Sequence, residues 1–136
     1  GIPLYKPPYS RITAIDMNTG EHAWVIPTGE TPARVQQVID ELDLDVPNTG
    51  TGALVPMVVT PNMLVYSDTS SDGTPMPYAV TKATGETEAQ IEVSARSRYG
   101  MSSWAHDGHQ YFMLQTGSKL TAVALPGAAP ESIGAH

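Results

Sequence analysis

Ala14-Ile15-Asp16-Met17-Asn18-Thr19-Gly20-Glu21 returns 65 positions later as Ala79-Val80-Thr81-Lys82-Ala83-Thr84-Gly85-Glu86. Each copy is a short apolar run, a Thr-Gly-Glu turn and a second strand candidate. A third, partial copy stands at Leu120-Thr121-Ala122-Val123-Ala124-Leu125, with Ala122 placed 43 positions beyond Ala79. Hairpins that recur in this way mark a β repeat array. Each unit is a small sheet that cannot bury its own faces and must stack on its neighbours.

Strand signals spread outward from these copies. Arg11 to Met17 alternates, with Ile12 and Ala14 on one face and Thr13, Ile15 and Met17 on the other. Asn18-Thr19-Gly20 turns the chain, and Glu21 to Ile26 returns carrying Trp24. Ala53 to Thr60 and Met63 to Ser67 form the next pair around Pro61-Asn62, followed by Tyr78 to Thr81 and Ala89 to Ser94. Met101 to Ala105 and Gln110 to Gln115 flank His106-Asp107-Gly108-His109, and Lys119 to Leu125 closes the series. One helix interrupts the strands over about residues 31–43. Thr31 is its expected N-cap and Pro32 its first residue, with Val35, Val38, Ile39 and Leu42 on one face. Removing this excursion of roughly 20 residues brings the two repeat spacings into line with one four-stranded unit. The expected order is two strands, a full unit of four, then three.

Composition sets the outer limits. A chain of 136 residues is the size of one ordinary domain. A net charge of −7 argues against a nucleic-acid surface, which would present a basic patch. With no cysteine, disulfides and thiolate metal sites are excluded. No apolar run reaches the roughly 20 residues of a membrane-spanning helix, and Gly1 to Pro8 lacks the form of a signal peptide. A start at Gly1 rather than Met suggests a processed or excised piece of something longer. Residues 1–126 read as the folded part and 127–136 as a loose, small and polar tail.

Single residues admit plain readings beside sharper ones. Asp16 ahead of Asn-Thr-Gly suits a turn carboxylate accepting backbone amides better than a metal ligand. Trp24 suits packing, with its indole N–H satisfied, better than cofactor stacking. His106 and His109 flank a hairpin turn without a third metal ligand nearby. Asp68 and Asp72 flank Ser70-Ser71 in what reads as a solvated loop lacking calcium-loop spacing. No Ser-His-Asp constellation is ordered by the sequence, and no catalytic or metal-binding residue is assigned.

Gly1-Ile2-Pro3, Lys6-Pro7-Pro8-Tyr9, Arg11 to Glu21 and Trp24 together resemble a late segment of pyrroloquinoline-quinone (PQQ)-dependent dehydrogenases, the membrane glucose dehydrogenase type foremost. Pro47-Asn48-Thr49-Gly50, Tyr99-Gly100-Met101, Asp107-Gly108, Gln110-Tyr111 and Val123-Ala124-Leu125-Pro126 follow in the order of that family's last blades. The resemblance implies an all-β chain of about two four-stranded antiparallel blades from an eight-bladed quinoprotein propeller, with one short inserted helix. It implies a periplasmic enzyme using PQQ and calcium to oxidise a sugar or alcohol. The base, the metal ligands and the stacking tryptophan of the family lie upstream of this segment. The remaining blades, or further copies of this chain, are the implied partners. The alternative is a stand-alone, non-catalytic scaffold or binding protein that self-assembles.

In such a fold the loops before the first strand of each blade approach the propeller axis. Gly50-Thr51-Gly52 and Tyr99-Gly100-Met101 are therefore the candidate cofactor contacts, with ordinary turn chemistry as the competing reading. The chain departs from the family pattern in four places. Thr81 replaces the aspartate of the first repeat, and Gln90 stands near where Trp24 is expected to recur. Gln115-Thr116-Gly117-Ser118 lacks a glycine-rich histidine ending, and Arg96 and Arg98 occupy positions where small residues are usual.

Overall fold

The computed structural model describes residues 5–124. Three antiparallel sheets follow one another along the chain. The first pairs β1 (Arg11–Ile15) with β2 (His22–Pro27). After helix α1 (Ala33–Glu41) comes a meander of β3 (Met57–Val59), β4 (Met63–Thr69), β5 (Pro75–Thr81) and β6 (Thr87–Gln90). The third sheet is β7 (Ser102–His106), β8 (His109–Thr116) and β9 (Lys119–Ala124). The expected order of two, four and three strands is what forms, in keeping with partial propeller blades. The tail at 127–136, with Leu125 and Pro126, lies outside the described residues.

The two central strands of the middle sheet are buried on both faces, and this decides the stacking. Because successive side chains of a strand point to opposite faces, Leu64 and Tyr66 of β4 join Tyr78 and Val80 of β5 on one side. They pack against Ile12, Trp24 and Ile26 of the first sheet. Val65 and Ala79 point the other way, into a core with Val93, Phe112, Leu114 and Val123 that includes the third sheet. The Tyr66 and Tyr78 rings stack, with centroids 5.2 Å apart and planes 18° apart.

Both full copies of the repeat build the same turn. Asp16 N–H donates to Glu21 O at 2.9 Å and Gly20 N–H to Asp16 O at 2.7 Å. Thr81 N–H donates to Glu86 O and Gly85 N–H to Thr81 O, each at 2.8 Å. Thr19 and Thr84 hydroxyls accept from the N–H of Glu21 and Glu86. Gly20 and Gly85 sit at φ 76° and 77°, the left-handed region that favours glycine. Asp16 also accepts from Asn18 N–H at 2.8 Å, as its place before the turn suggested. The Asp107-Gly108 turn has positive φ at both residues, the two-residue hairpin form expected of Asp-Gly.

Trp24 joins the first sheet to the second copy of the turn. Its indole Nε1–H donates to Lys82 O at 2.9 Å. Its ring lies so close to Gly85 that a Cβ there would stand 2.9 Å from Cδ2 and Cε3. The expected packing with a satisfied N–H is thus present. Ala14 pairs with Trp24 and Ala79 with Ala89, and each ladder shifts at the next residue. Trp24 is therefore replaced in the second copy by Ala89, next to Gln90.

Several strand limits move from their expected places, and proline accounts for two. Pro75 and Pro77 lie inside β5, which starts at Pro75 rather than Tyr78. Their carbonyls accept from Val93 and Ile91 N–H, but they have no N–H to return. The ladder consequently stops at Gln90, so β6 spans Thr87–Gln90 instead of Ala89 to Ser94. Pro56 likewise accepts from Ser67 N–H and donates nothing, which shortens the expected Ala53 to Thr60 strand to Met57–Val59. β1 ends at Ile15 because Asp16 to Gly20 form the turn, leaving Met17 88 % exposed. The helix N-cap is Pro32, not Thr31, and no side chain caps it. Thr31 Oγ1 instead donates to Asn48 Oδ1 and accepts from Thr49 N–H. Val35 and Ile39 are buried, whereas Leu42 lies past the last turn and is exposed.

Two stability tests follow. G20A meets no neighbouring atom, so its cost is about 1 kcal/mol from the positive φ alone. G85A adds the collision with the Trp24 ring and costs about 3 kcal/mol in urea unfolding. Equal costs would mean that Trp24 does not sit there. The second test is alkaline. Burial, the largest cause, raises the Tyr66 hydroxyl from 10.0 to about 12, and Tyr78 is raised in the same sense. Below the unfolded pKa both states are protonated and this contribution is constant. Between 10.0 and about 12 the unfolded chain releases the Tyr66 proton first, so stability falls as pH rises through that window. Urea unfolding should show this loss, and Y66F should reduce its slope.

Candidate functional site

Hydrogen bonds gather the loops that follow β2, β4 and β6 at one end of the stacked sheets. Glu30 N–H donates to Thr69 O at 3.2 Å and Ala33 N–H to Ser71 O at 2.9 Å, while Ser71 N–H donates to Glu30 Oε2 at 2.9 Å. These bonds hold the start of α1 against the β4–β5 turn. Ser97 N–H, in the loop after β6, donates to Ser67 Oγ at 3.1 Å.

Asp68 is the centre of this end. It was expected in a solvated loop, but it is the penultimate residue of β4 and is 0 % exposed. Thr51 Oγ1 lies 2.9 and 2.8 Å from its two carboxylate oxygens and donates to them. Thr69 N–H donates to Oδ1 at 2.9 Å, and Arg96 Nη1 stands 3.5 Å from the same oxygen. A buried carboxylate must have such partners, because desolvation otherwise disfavours its charge. Asp72, by contrast, is solvated as expected. The Ser70 hydroxyl is the first of several donors holding its carboxyl down at about 2.

Of the two candidate cofactor loops, Gly50-Thr51-Gly52 reaches this carboxylate through Thr51, while Tyr99-Gly100-Met101 follows Arg96 in the loop after β6. Gly50 and Gly52 adopt φ 67° and 78°. The close neighbour of Gly50 is Ser10, whose carbonyl oxygen would lie 2.8 Å from a Cβ. Ser10 Oγ also accepts from Gly52 N–H at 3.0 Å and from Thr28 Oγ1 at 2.7 Å. Thr51 N–H donates to Thr28 O at 3.0 Å, which leaves its hydroxyl directed at Asp68. In the other loop Tyr99 is exposed and its carbonyl accepts from Ser97 Oγ at 3.2 Å. Gly100 faces open space, and Met101 packs against the Val65–Phe112 core. The Thr51–Asp68–Arg96 chain thus ties the first loop to the segment that leads into the second.

Two cavities open here. One, of about 440 Å³, is lined by Ala95, Arg96, Arg98, Tyr99, Gln115 and Gly117. The other, of about 290 Å³, has Glu30, Asn48, Tyr66, Tyr78 and Gln90 in its wall, and among the described residues the Tyr78 hydroxyl is without a hydrogen-bond partner. Asp68 and Arg96 were not singled out as a pair from the sequence. An acidic residue following Leu64 and Tyr66 on one strand face is the signal that it must find a buried partner. Nothing in the spacing identifies that partner. His106 and His109 face each other across the β7–β8 pairing. Among the described residues no group of three or more His, Cys, Asp or Glu side chains comes together to hold a metal. The residues described here therefore do not fit a calcium site. The guanidinium groups, phenol and amide of the larger cavity do suit an anionic organic group.

D68N should lower stability by about 2–3 kcal/mol, less than a wholly buried pair loses because Arg96 keeps access to water. T51V removes a donor to that charge and should lower it by about 1–2 kcal/mol. Urea unfolding checks both, and wild-type stability for D68N would contradict the arrangement.

A family model described as the β-propeller domain of glucose/ethanol/alcohol dehydrogenases (PQQ) matches residues 1–112. No curated protein and no solved structure matches the chain. The three stacked sheets, the duplicated turn and this match agree, and the chain belongs to the PQQ β-propeller family of glucose, ethanol and alcohol dehydrogenases.

Proposed function

We propose that this chain supplies late blades of a periplasmic PQQ-dependent dehydrogenase acting on a sugar or alcohol, of the membrane glucose dehydrogenase type. The observation that carries this reading is the incomplete stack. The first sheet turns Ile15 and Val25 outward, with Met17 beside them, and the third exposes Trp104 and Leu120. β1 and β9 each pair with a single neighbour. Uncovered apolar faces and open strand edges invite further sheets on either side. No helix among the described residues is long and apolar enough to cross a membrane.

In this reading the remaining blades carry the catalytic base and the calcium ion. When bound, PQQ supplies the acceptor for the hydride removed from the substrate carbon. This chain forms part of the wall around the quinone. Gly50, Thr51 and Gly52 are held rigid by Ser10, Thr28 and Asp68, and Tyr99, Gly100 and Met101 lie on the loop one blade later. Among these residues Tyr99 offers an exposed aromatic face, Thr51 orients Asp68, and Met101 anchors its loop to the core.

The test is the native mass of the particle formed when the chain is expressed with its natural flanking sequence, together with the identity of every polypeptide in it. A particle carrying the other blades and binding PQQ supports the enzyme reading. A homo-oligomer of this segment alone, without PQQ binding, overturns it in favour of the self-assembling, non-catalytic alternative.

A further inference from the structure

The 440 Å³ cleft concentrates positive charge on an acidic protein. The chain has 7 Lys and Arg against 14 Asp and Glu, yet Arg96 and Arg98 both line this cleft and, among the described residues, no carboxylate does. The two arginines flank Ser97, which is fully buried and whose backbone N–H donates to Ser67 Oγ. Both arginine side chains line the cleft on either side of Ser97. Asp68 holds Arg96 from behind at 3.5 Å, which uses only part of a guanidinium with five N–H donors. Arg98 makes no ion pair or side-chain hydrogen bond among the described residues. Gln115 is fixed across the cleft, its Nε2–H donating to Gly117 O at 3.1 Å. Tyr99 adds a flat apolar surface.

We propose that this cleft binds a small organic oxyanion, a carboxylate or a phosphate monoester, with Arg96 and Arg98 as its charge partners and Tyr99 packing on its organic part. The planar guanidinium fork matches both oxyanions with paired hydrogen bonds. The volume falls within the ordinary range of small-ligand pockets. Arg96 arrives pre-oriented by Asp68, so little freedom is lost when it engages the anion. The site goes beyond the quinone reading, because it needs neither a quinone ring nor a metal ion.

The experiment is a calorimetric titration of the intact chain with benzene-1,3,5-tricarboxylate, phenyl phosphate and, as an uncharged control, benzyl alcohol. At least one anion is expected to bind saturably, more weakly as salt is added, while the alcohol does not. The relative strength of the two anions identifies the oxyanion preferred. R98A, on an exposed side chain whose loss should leave the fold intact, is expected to weaken binding about tenfold or more, with R98K recovering only part. Circular dichroism of the variant checks that it is folded. Binding by neither anion, equal binding of the alcohol, or an R98A affinity equal to wild type would each overturn the proposal. A parallel titration with PQQ separates the two readings. Oxyanion binding by the isolated chain without PQQ binding supports this cleft and leaves the quinone reading to the native particle, and PQQ binding without oxyanion binding rejects this cleft alone.

Discussion

The constraint on which everything else depends is that the central strands of the four-stranded sheet are apolar on both faces. A sheet with Leu64, Tyr66, Tyr78 and Val80 on one side and Val65 and Ala79 on the other has no solvent side. It requires a cover on each. The two-stranded and three-stranded sheets provide those covers. They are themselves half-satisfied, since each turns one face inward and leaves apolar residues on the other. The same arithmetic that makes the middle sheet stable makes the ends of the stack incomplete.

The repeated turn converts that general need for cover into a fixed register. Trp24 closes over Gly85 because the turn places a residue without a side chain at the contact and points the Lys82 carbonyl at the indole N–H. Hydrophobic burial alone would allow sheets to slide over each other. A ring seated on a glycine, with one directed hydrogen bond, does not.

The fold was legible in the sequence because its information is local. Asn-Thr-Gly, Thr-Gly-Glu and Asp-Gly each demand a positive φ at a known position, and apolar alternation identifies the strands between them. The errors have equally local causes. Alternation says nothing about whether a residue has an N–H to give, so Pro56, Pro75 and Pro77 moved strand limits by several residues. Thr31 met every requirement of an N-cap, yet its hydroxyl is engaged by Asn48 and Thr49, a contact across 17 or more positions that no local pattern reveals. The candidate site was legible only as two loops. Thr51 and Arg96 carried no sign that Asp68 would join them, because that connection depends on a buried charge finding Thr51 17 positions before it and Arg96 in the loop after the next two strands.

Asp68 therefore has a structural consequence that shapes any chemistry at this end. Its charge fixes Thr51 in one loop and Arg96 in the other. The surface offered to a ligand is thus set by the interior rather than by the mobility of exposed loops.

The most direct measurement of this account is a nuclear Overhauser experiment on the isotope-labelled chain, read at the Trp24 indole. The stacked arrangement predicts strong cross-peaks from the ring protons to the Gly85 Hα protons and from the indole N–H to Lys82. A Trp24 indole showing contacts only within its own hairpin would contradict the packing of the first sheet on the second, and with it the assignment of these sheets as consecutive blades.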